Sequence, residues 1–209
     1  MSSKQLIFDV ETLGTESNSV CLQASFLVYD IAADYDVSIA DLRPRVKTFK
    51  LSVEDQVAHK RAVDNGTLDF WKNEIAKVPE LKYILKRDPE NDLTMLQFYD
   101  ELYAWLLEQE YDRKKDWAWQ RGTLDIAILD SMWKDLNISR KDFPIFWWKI
   151  RDLRTAIDLF GDTDMNGYIK GIKENGDKYI DGFKKHDSVD DILLEVLQLR
   201  MIGLYQKVE

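Results

Sequence analysis

The run Gln5-Leu-Ile-Phe-Asp-Val-Glu-Thr12 carries the two-residue alternation of a β-strand straight into a pair of carboxylates. Gln5–Val10 reads as a short buried strand, and the alternation sets Ile7, Asp9 and Glu11 on one face, about 6.6 Å between successive same-face positions. Two acids on one face at a strand's end are costly unless something positive lies between them. A divalent cation is the natural neutraliser, because hard cations such as Mg2+ take oxygen ligands. A strand running out into solvent through two charged residues is the plainer explanation of a bare Asp-x-Glu. The longer string Asp9-Val-Glu-Thr-Leu-Gly14 is a more specific signal.

The rest of the chain limits what such a strand can belong to. Val20–Tyr29 reads as a longer strand and Arg45–Leu51 as a third, so the first fifty residues form a meander. From Ser52 the pattern turns helical, with Thr67 placed to cap a short helix carrying Phe70 and Trp71. Residues 94–108 put Met95, Phe98, Leu102 and Leu106 on one helical stripe. Trp117–Trp119 and Phe146–Ile150 are further strand candidates, each followed by a helix, at Thr123 to about Leu136 and at Arg151–Phe160. The last helix follows Val189, Ile192, Leu193 and Val196. Three strands, then alternating helices and strands, predict an α/β domain with a mixed sheet.

Lys plus Arg total 29 and Asp plus Glu total 38, a net charge of −9. That balance argues against a passive, non-specific duplex binder, whose affinity would come from basic residues facing phosphates. It leaves room for an enzyme that meets phosphates through cations held by carboxylates. The single cysteine, Cys21, excludes an intrachain disulfide. No apolar run approaches the roughly 20 residues of a membrane span, and Gln5–Val10 is too short for a signal region. A cytoplasmic location is the expectation.

Two further segments carry chemistry-bearing side chains. In Lys185-His-Asp-Ser-Val-Asp-Asp191 the acids suit a helix N-terminus by dipole alone, and Ser188-x-x-Asp191 has capping-box spacing. Yet His186, one of two histidines, stands in a polar turn where it can take a proton from water near neutral pH. Asp125 sits in the first turn of the helix after Thr123, again explicable by the dipole. Asp162-Thr-Asp-Met-Asn-Gly167 copies the first half of a calcium loop, but Lys170 and Lys173 stand where its later ligands belong, which favours an Asn-Gly turn. His59-Lys60-Arg61 reads as a solvated helix end rather than a phosphate contact.

Taken in order, Asp-x-Glu, a mid-chain Asp and His-x-x-x-x-Asp resemble the DEDDh 3′→5′ exonucleases of the ribonuclease H-like superfamily. More closely, the chain resembles the phage exodeoxyribonuclease A group. The likeness runs through Phe8-Asp-Val-Glu-Thr-Leu-Gly14, Thr67-Leu-Asp-Phe-Trp-Lys-Asn73, Arg121-Gly-Thr-Leu-Asp125, Trp148-Lys-Ile-Arg-Asp-Leu-Arg-Thr155 and Gly182-Phe-Lys-Lys-His-Asp-Ser188. Residues 78–92 and 161–181 match poorly, and Phe70 stands where the group tends to have Trp. The resemblance implies a ribonuclease H-like fold with helices on both faces of the sheet. It implies that Asp9, Glu11, Asp125 and Asp191 hold two divalent ions, Mg2+ or Mn2+, with Glu11 also in the catalytic machinery and His186 as general base. The implied substrate is the 3′ end of a nucleic acid, DNA before RNA and mainly single-stranded. An exoribonuclease of the same fold and a non-catalytic nucleic-acid-binding module are the alternatives.

The residues suit that chemistry. Thr12 and Leu13, just past Glu11, are placed to contact the terminal sugar and wedge against the last base. Trp71 offers an aromatic face for stacking, with core packing as its ordinary role. The expected organisation is one domain over residues 1–209 with a polar insertion at about 161–182. Its two Asn-Gly signals predict a hairpin or double turn standing out from the domain, and Lys170, Lys173 and Lys178 would make it a basic flap over the substrate.

Overall fold

Leu6, Ile7 and Phe8 are buried on both faces of the first strand, so the sheet has to be covered on both sides. A computed structural model describes residues 4–203 and shows how. The sheet has five strands in the order β3-β2-β1-β4-β5, with β1 at Lys4–Thr12, β2 at Cys21–Asp30, β3 at Lys47–Lys50, β4 at Trp117–Gln120 and β5 at Ile150–Asp152. The first three strands are antiparallel neighbours, while β4 runs parallel to β1 and β5 parallel to β4. Strand β1 is paired to β4 only at Gln5, Leu6 and Ile7, although it continues along β2 as far as Thr12.

Five longer helices complete the described fold: α1 (Asn65–Lys77), α2 (Met95–Glu108), α3 (Leu124–Asp135), α4 (Leu153–Phe160) and α5 (Ser188–Met201). Leu6, Phe8 and Val10 pack with Phe98 and Leu102 of α2 and Met132 and Trp133 of α3. On the opposite face, Ile7, Leu27 and Trp119 pack with Ile157 of α4 and Leu193 and Val196 of α5. The result is a three-layer α/β arrangement, as the pattern of elements implies. A third apolar cluster, with Leu13, Leu22, Val53 and Trp71, lies beyond the end of β1.

Several boundaries differ from the sequence expectation, each for a local reason. The expected strand Phe146–Ile150 begins only at Ile150, because Trp147–Lys149 form a 3-10 turn. Helix α1 starts at Asn65 because Asp64 caps it, accepting from the Thr67 N–H at 2.7 Å. Helix α5 is capped by Asp187, not Ser188. Ser188 is instead buried against the sheet, bonded to Gln23 at 2.6 Å and Ser25 at 2.7 Å. Those bonds lock the start of α5 onto β2.

Residues 161–182 do not stand out from the domain. Tyr168, Ile172 and Ile180 are buried in the α4–α5 layer, the Ile169 N–H donates to Gln198 on α5, and the segment is a chain of turns with one bridge, Thr163 to Ile169. The Asn166-Gly167 turn is closed by Asp164, whose carboxylate accepts from the Asn166 and Tyr168 N–H groups, while Asp162 pairs with Lys170 at 2.6 Å. Those acids are occupied within their own turn. Arg61 is likewise no solvated cation: it is buried, paired with Asp135 at 2.8 Å and donating to the Ser17 and Ser19 carbonyls.

Candidate active site

Strand β1 delivers Asp9 and Glu11 to the face on which α5 lies, opposite Ser25 and Gln23 of β2. Helix α5 brings Asp191 from its first turn. One carboxylate oxygen from each of Asp9, Glu11 and Asp191 lies within 4.8 Å of the others. Asp125, in the first turn of α3, stands beside them: its charge is among those that push up the carboxyls of Asp9 and Glu11. Its own carboxylate accepts the backbone N–H of Val10, a donor available because β4 has already ended.

Burial without compensation shapes the electrostatics. Asp9 and Glu11 are raised well above the ordinary carboxylate range, first by desolvation; nearby charges add to this, Glu11, Asp125 and Asp191 for Asp9, and Asp191, Asp125 and Asp187 for Glu11. Asp125 and Asp191 are each raised to about 7, again mainly by burial. Asp191 accepts the backbone N–H of His186, yet its Oδ1 is buried with no partner. An orphaned carboxylate oxygen facing other carboxylates fits a divalent cation better than any protein donor present. Asp190, next in the chain, is excluded from such a role because Arg43 pairs with it at 2.5 Å and the Lys184 N–H donates to it.

His186 meets the site through its backbone N–H, which Asp191 accepts, from a backbone in the left-handed region, φ 65°, a conformation uncommon for a residue with a side chain and a marker of local strain. Its ring packs edge-on against Phe70 at 5.0 Å. Burial, then Lys173 and Lys185, lower its pKa to about 4, so the imidazole is neutral at pH 7.

The expected substrate contacts are arranged differently. Trp71 is 1% exposed and its indole N–H donates to the Thr12 carbonyl at 2.8 Å. It therefore has no face for a base, and props up the Thr12–Leu13 corner instead. Leu13 is buried in the same cluster, which removes it as a free wedge, while Thr12 remains partly exposed and donates to the Gly14 carbonyl. The accessible ring is Phe70, 38% exposed.

One residue near the cluster was not singled out from the sequence. Glu195 is a fifth acid, whose charge contributes to raising Asp9, Asp125 and Asp191. Its spacing, four residues after Asp191 on one helix face, is the signal that could have found it. Arg121 neutralises it through two hydrogen bonds. Lys173, from the 161–182 segment, donates to the Tyr168 hydroxyl at 2.7 Å, and its charge lowers Asp191 and Glu11.

No protein-family model matches the chain. It is 24% identical over 208 aligned residues to an exodeoxyribonuclease of Enterobacteria phage T4, covering 93% of this chain and 86% of that one. Among solved structures, product-bound exonuclease I gives a TM-score of 0.61 at 11% identity, over 98% of this chain and 44% of that one. A zinc-bound E. coli ExoI–ssDNA complex gives 0.62 at 13%, over 99% and 41%. Cell-death related nuclease 4 gives 0.60 at 18%, over 99% and 66%. The chain thus spans less than half the length of exonuclease I. It is similar in sequence to a phage exodeoxyribonuclease, as its motifs imply, and its five-stranded mixed sheet is the ribonuclease H-like fold of exonuclease I.

Proposed function

We propose that this chain, as a single domain over residues 1–209, is a metal-dependent 3′→5′ exonuclease acting mainly on single-stranded DNA and releasing nucleoside 5′-monophosphates. The observation that carries the reading is the convergence of Asp9, Glu11 and Asp191 within 4.8 Å, with an unpartnered oxygen on Asp191. Support also comes from similarity to an exodeoxyribonuclease and from a fold shared with an exonuclease crystallised with ssDNA. Asp9, Glu11, Asp125 and Asp191 would hold two divalent cations, Mg2+ or Mn2+. Bound there, the cations supply positive charge against the attacking and leaving oxygens of a phosphodiester.

The protein's own part is positioning and proton transfer. Glu11 and Asp191 would fix the reacting end only through the cations they hold, and neutral His186 would accept the proton of the attacking water at an imidazole nitrogen. Thr12, its carbonyl held by Trp71 and its hydroxyl proton by Gly14, would lie beside the terminal sugar with the hydroxyl oxygen left to accept. Phe70 supplies the ring that Trp71 cannot. The test is a titration of Mg2+ against oligonucleotides labelled at one end or the other. Stepwise shortening from the 3′ end, faster on DNA than RNA, is expected. Internal cuts, cleavage from the 5′ end or activity without divalent cations would overturn the reading.

A further inference from the structure

A groove of about 520 Å3 runs along the outer side of α3. It starts at Ile126, next in the chain after Asp125 and roughly 100° round the helix, and extends to Trp133. That is about 12 Å along the helix axis away from the carboxylates. Its far wall carries Trp147 and Trp148, which are 70% and 50% exposed. Neither indole is loose: Trp148 stacks on Phe146 at 4.4 Å and Trp147 meets Trp148 edge-on at 5.7 Å.

The charges around this groove are unlike those of the chain as a whole. Arg140 and Lys141 line it, and among the described residues neither side chain has a hydrogen-bond or ion-pair partner. Asp130, the acid on the opposite wall, is occupied by Lys134. In a chain of net charge −9, two unengaged cations beside two braced, exposed indoles form a local site for a polyanion with flat apolar rings. Single-stranded nucleic acid has that chemistry, since its bases stack on aromatic faces while its phosphates meet cations. A duplex keeps its bases paired inside and would leave the indoles unused.

We infer that this groove is a second binding site for single-stranded nucleic acid, with bases on Trp147 and Trp148 and phosphates toward Arg140 and Lys141. It would hold the strand a few nucleotides away from the end at the carboxylates. The site does not depend on cleavage, so its test is made without divalent cations. Fluorescence anisotropy with labelled (dT)12 and (dT)3 in EDTA would compare the parent with Trp147→Ala, Trp148→Phe and Arg140→Ala/Lys141→Ala, each checked for an unchanged melting temperature.

Trp147→Ala should weaken (dT)12 binding about tenfold, the scale of one lost stacking contact, and the double cation variant should weaken it severalfold at low salt, an effect that added salt erases. Trp148→Phe should keep most of it, and (dT)3, long enough only for the two indoles, should bind more weakly and respond to the same variants. Unchanged (dT)12 affinity in both Trp147→Ala and the cation variant would overturn the site, whatever the nuclease assay gives. If sedimentation showed instead that Trp147→Ala breaks a dimer while (dT)12 affinity holds, the groove would be a contact between copies and the inference would fail.

Discussion

Arg121 grips Glu195 through both sides of its guanidinium, Nε to Oε1 at 2.6 Å and Nη2 to Oε2 at 2.8 Å, while lying 3.7 Å from the centre of the Tyr168 ring. Both side chains of the pair are about nine-tenths buried. This bond keeps a fifth carboxylate from adding its full charge to the four beside it. Removing one partner leaves the other buried and unpaired, at a cost of about 3–5 kcal/mol. Arg121→Ala should therefore lower the free energy of unfolding by that order. Arg121→Leu/Glu195→Leu should lose much less. Equal losses in the single and double variants, measured by urea denaturation, would mean that the pair's charge is not what matters.

The raised carboxyls make the metal-free protein sensitive to alkali. Asp125 and Asp191 titrate near 7 in the fold against 3.8 for an ordinary Asp. The folded state thus binds more protons than the unfolded one, and this contribution is lost as pH rises through about 7. His186 acts in the opposite sense, being lowered from 6.5 to about 4, but it is silent above pH 6.5. Between pH 6.5 and 8 in EDTA the melting temperature should fall by roughly several degrees, and Mg2+ should offset the fall. A pH profile in EDTA that Asp191→Asn does not flatten would contradict this account.

Asp9→Ala and Asp191→Ala should abolish hydrolysis and weaken metal binding without loss of structure. Each removes charge from a mutually repelling cluster, so stability without metal should hold or rise. Calorimetric Mn2+ titration and thermal melts check both halves. Near-normal turnover in either variant would reassign the carboxylates.

For His186 the informative substitution is Asn, because Asn tolerates a backbone at φ 65° better than Ala does. His186→Asn should slow hydrolysis by about 10²–10⁴, the scale of a lost general base, and leave Mn2+ affinity nearly unchanged. A variant that recovers full rate at high metal concentration would turn His186 into a ligand.

Of the three lysines expected on a flap, Lys173 is the one whose charge acts on Glu11 and Asp191. Lys170 is held at the surface by Asp162. Lys173→Met should tighten Mn2+ binding severalfold at pH 8, since a competing cation is gone, and should raise KM for oligonucleotides. Lys170→Ala should alter neither quantity. If the two variants behave alike, the placement of Lys173 has no bearing on the site.

The parts of this site that were readable in the sequence are those carried by short-range regularity. Two-residue alternation put Asp9 and Glu11 on one face, and helix-start signals located Asp125 and Asp191 in first turns. Trp71 and Phe70 show where such reasoning ends. Neighbours on a helix point about 100° apart, and nothing in their immediate sequence says which is turned inward. The Arg121–Glu195 bond joins residues 74 positions apart, and the burial of Tyr168, Ile172 and Ile180 follows no period because their segment is made of turns. The run Phe146-Trp147-Trp148 has strand composition but ends as a 3-10 turn, since bulky aromatics favour strands only where there is a neighbour to pair with.

Strand β4 carries no residue of the proposed chemistry, yet its shortness decides where that chemistry sits. It stops at Gln120, and the chain turns away through Gly122 at φ 77°. Val10 is left with an N–H that no strand takes, and Asp125 takes it. Strand and carboxylate are thus rivals for one donor. Two more residues of regular pairing on β4 would answer Val10 from the backbone and send Asp125 elsewhere. The length of β4, as much as any side chain on it, therefore sets where Asp125 is held.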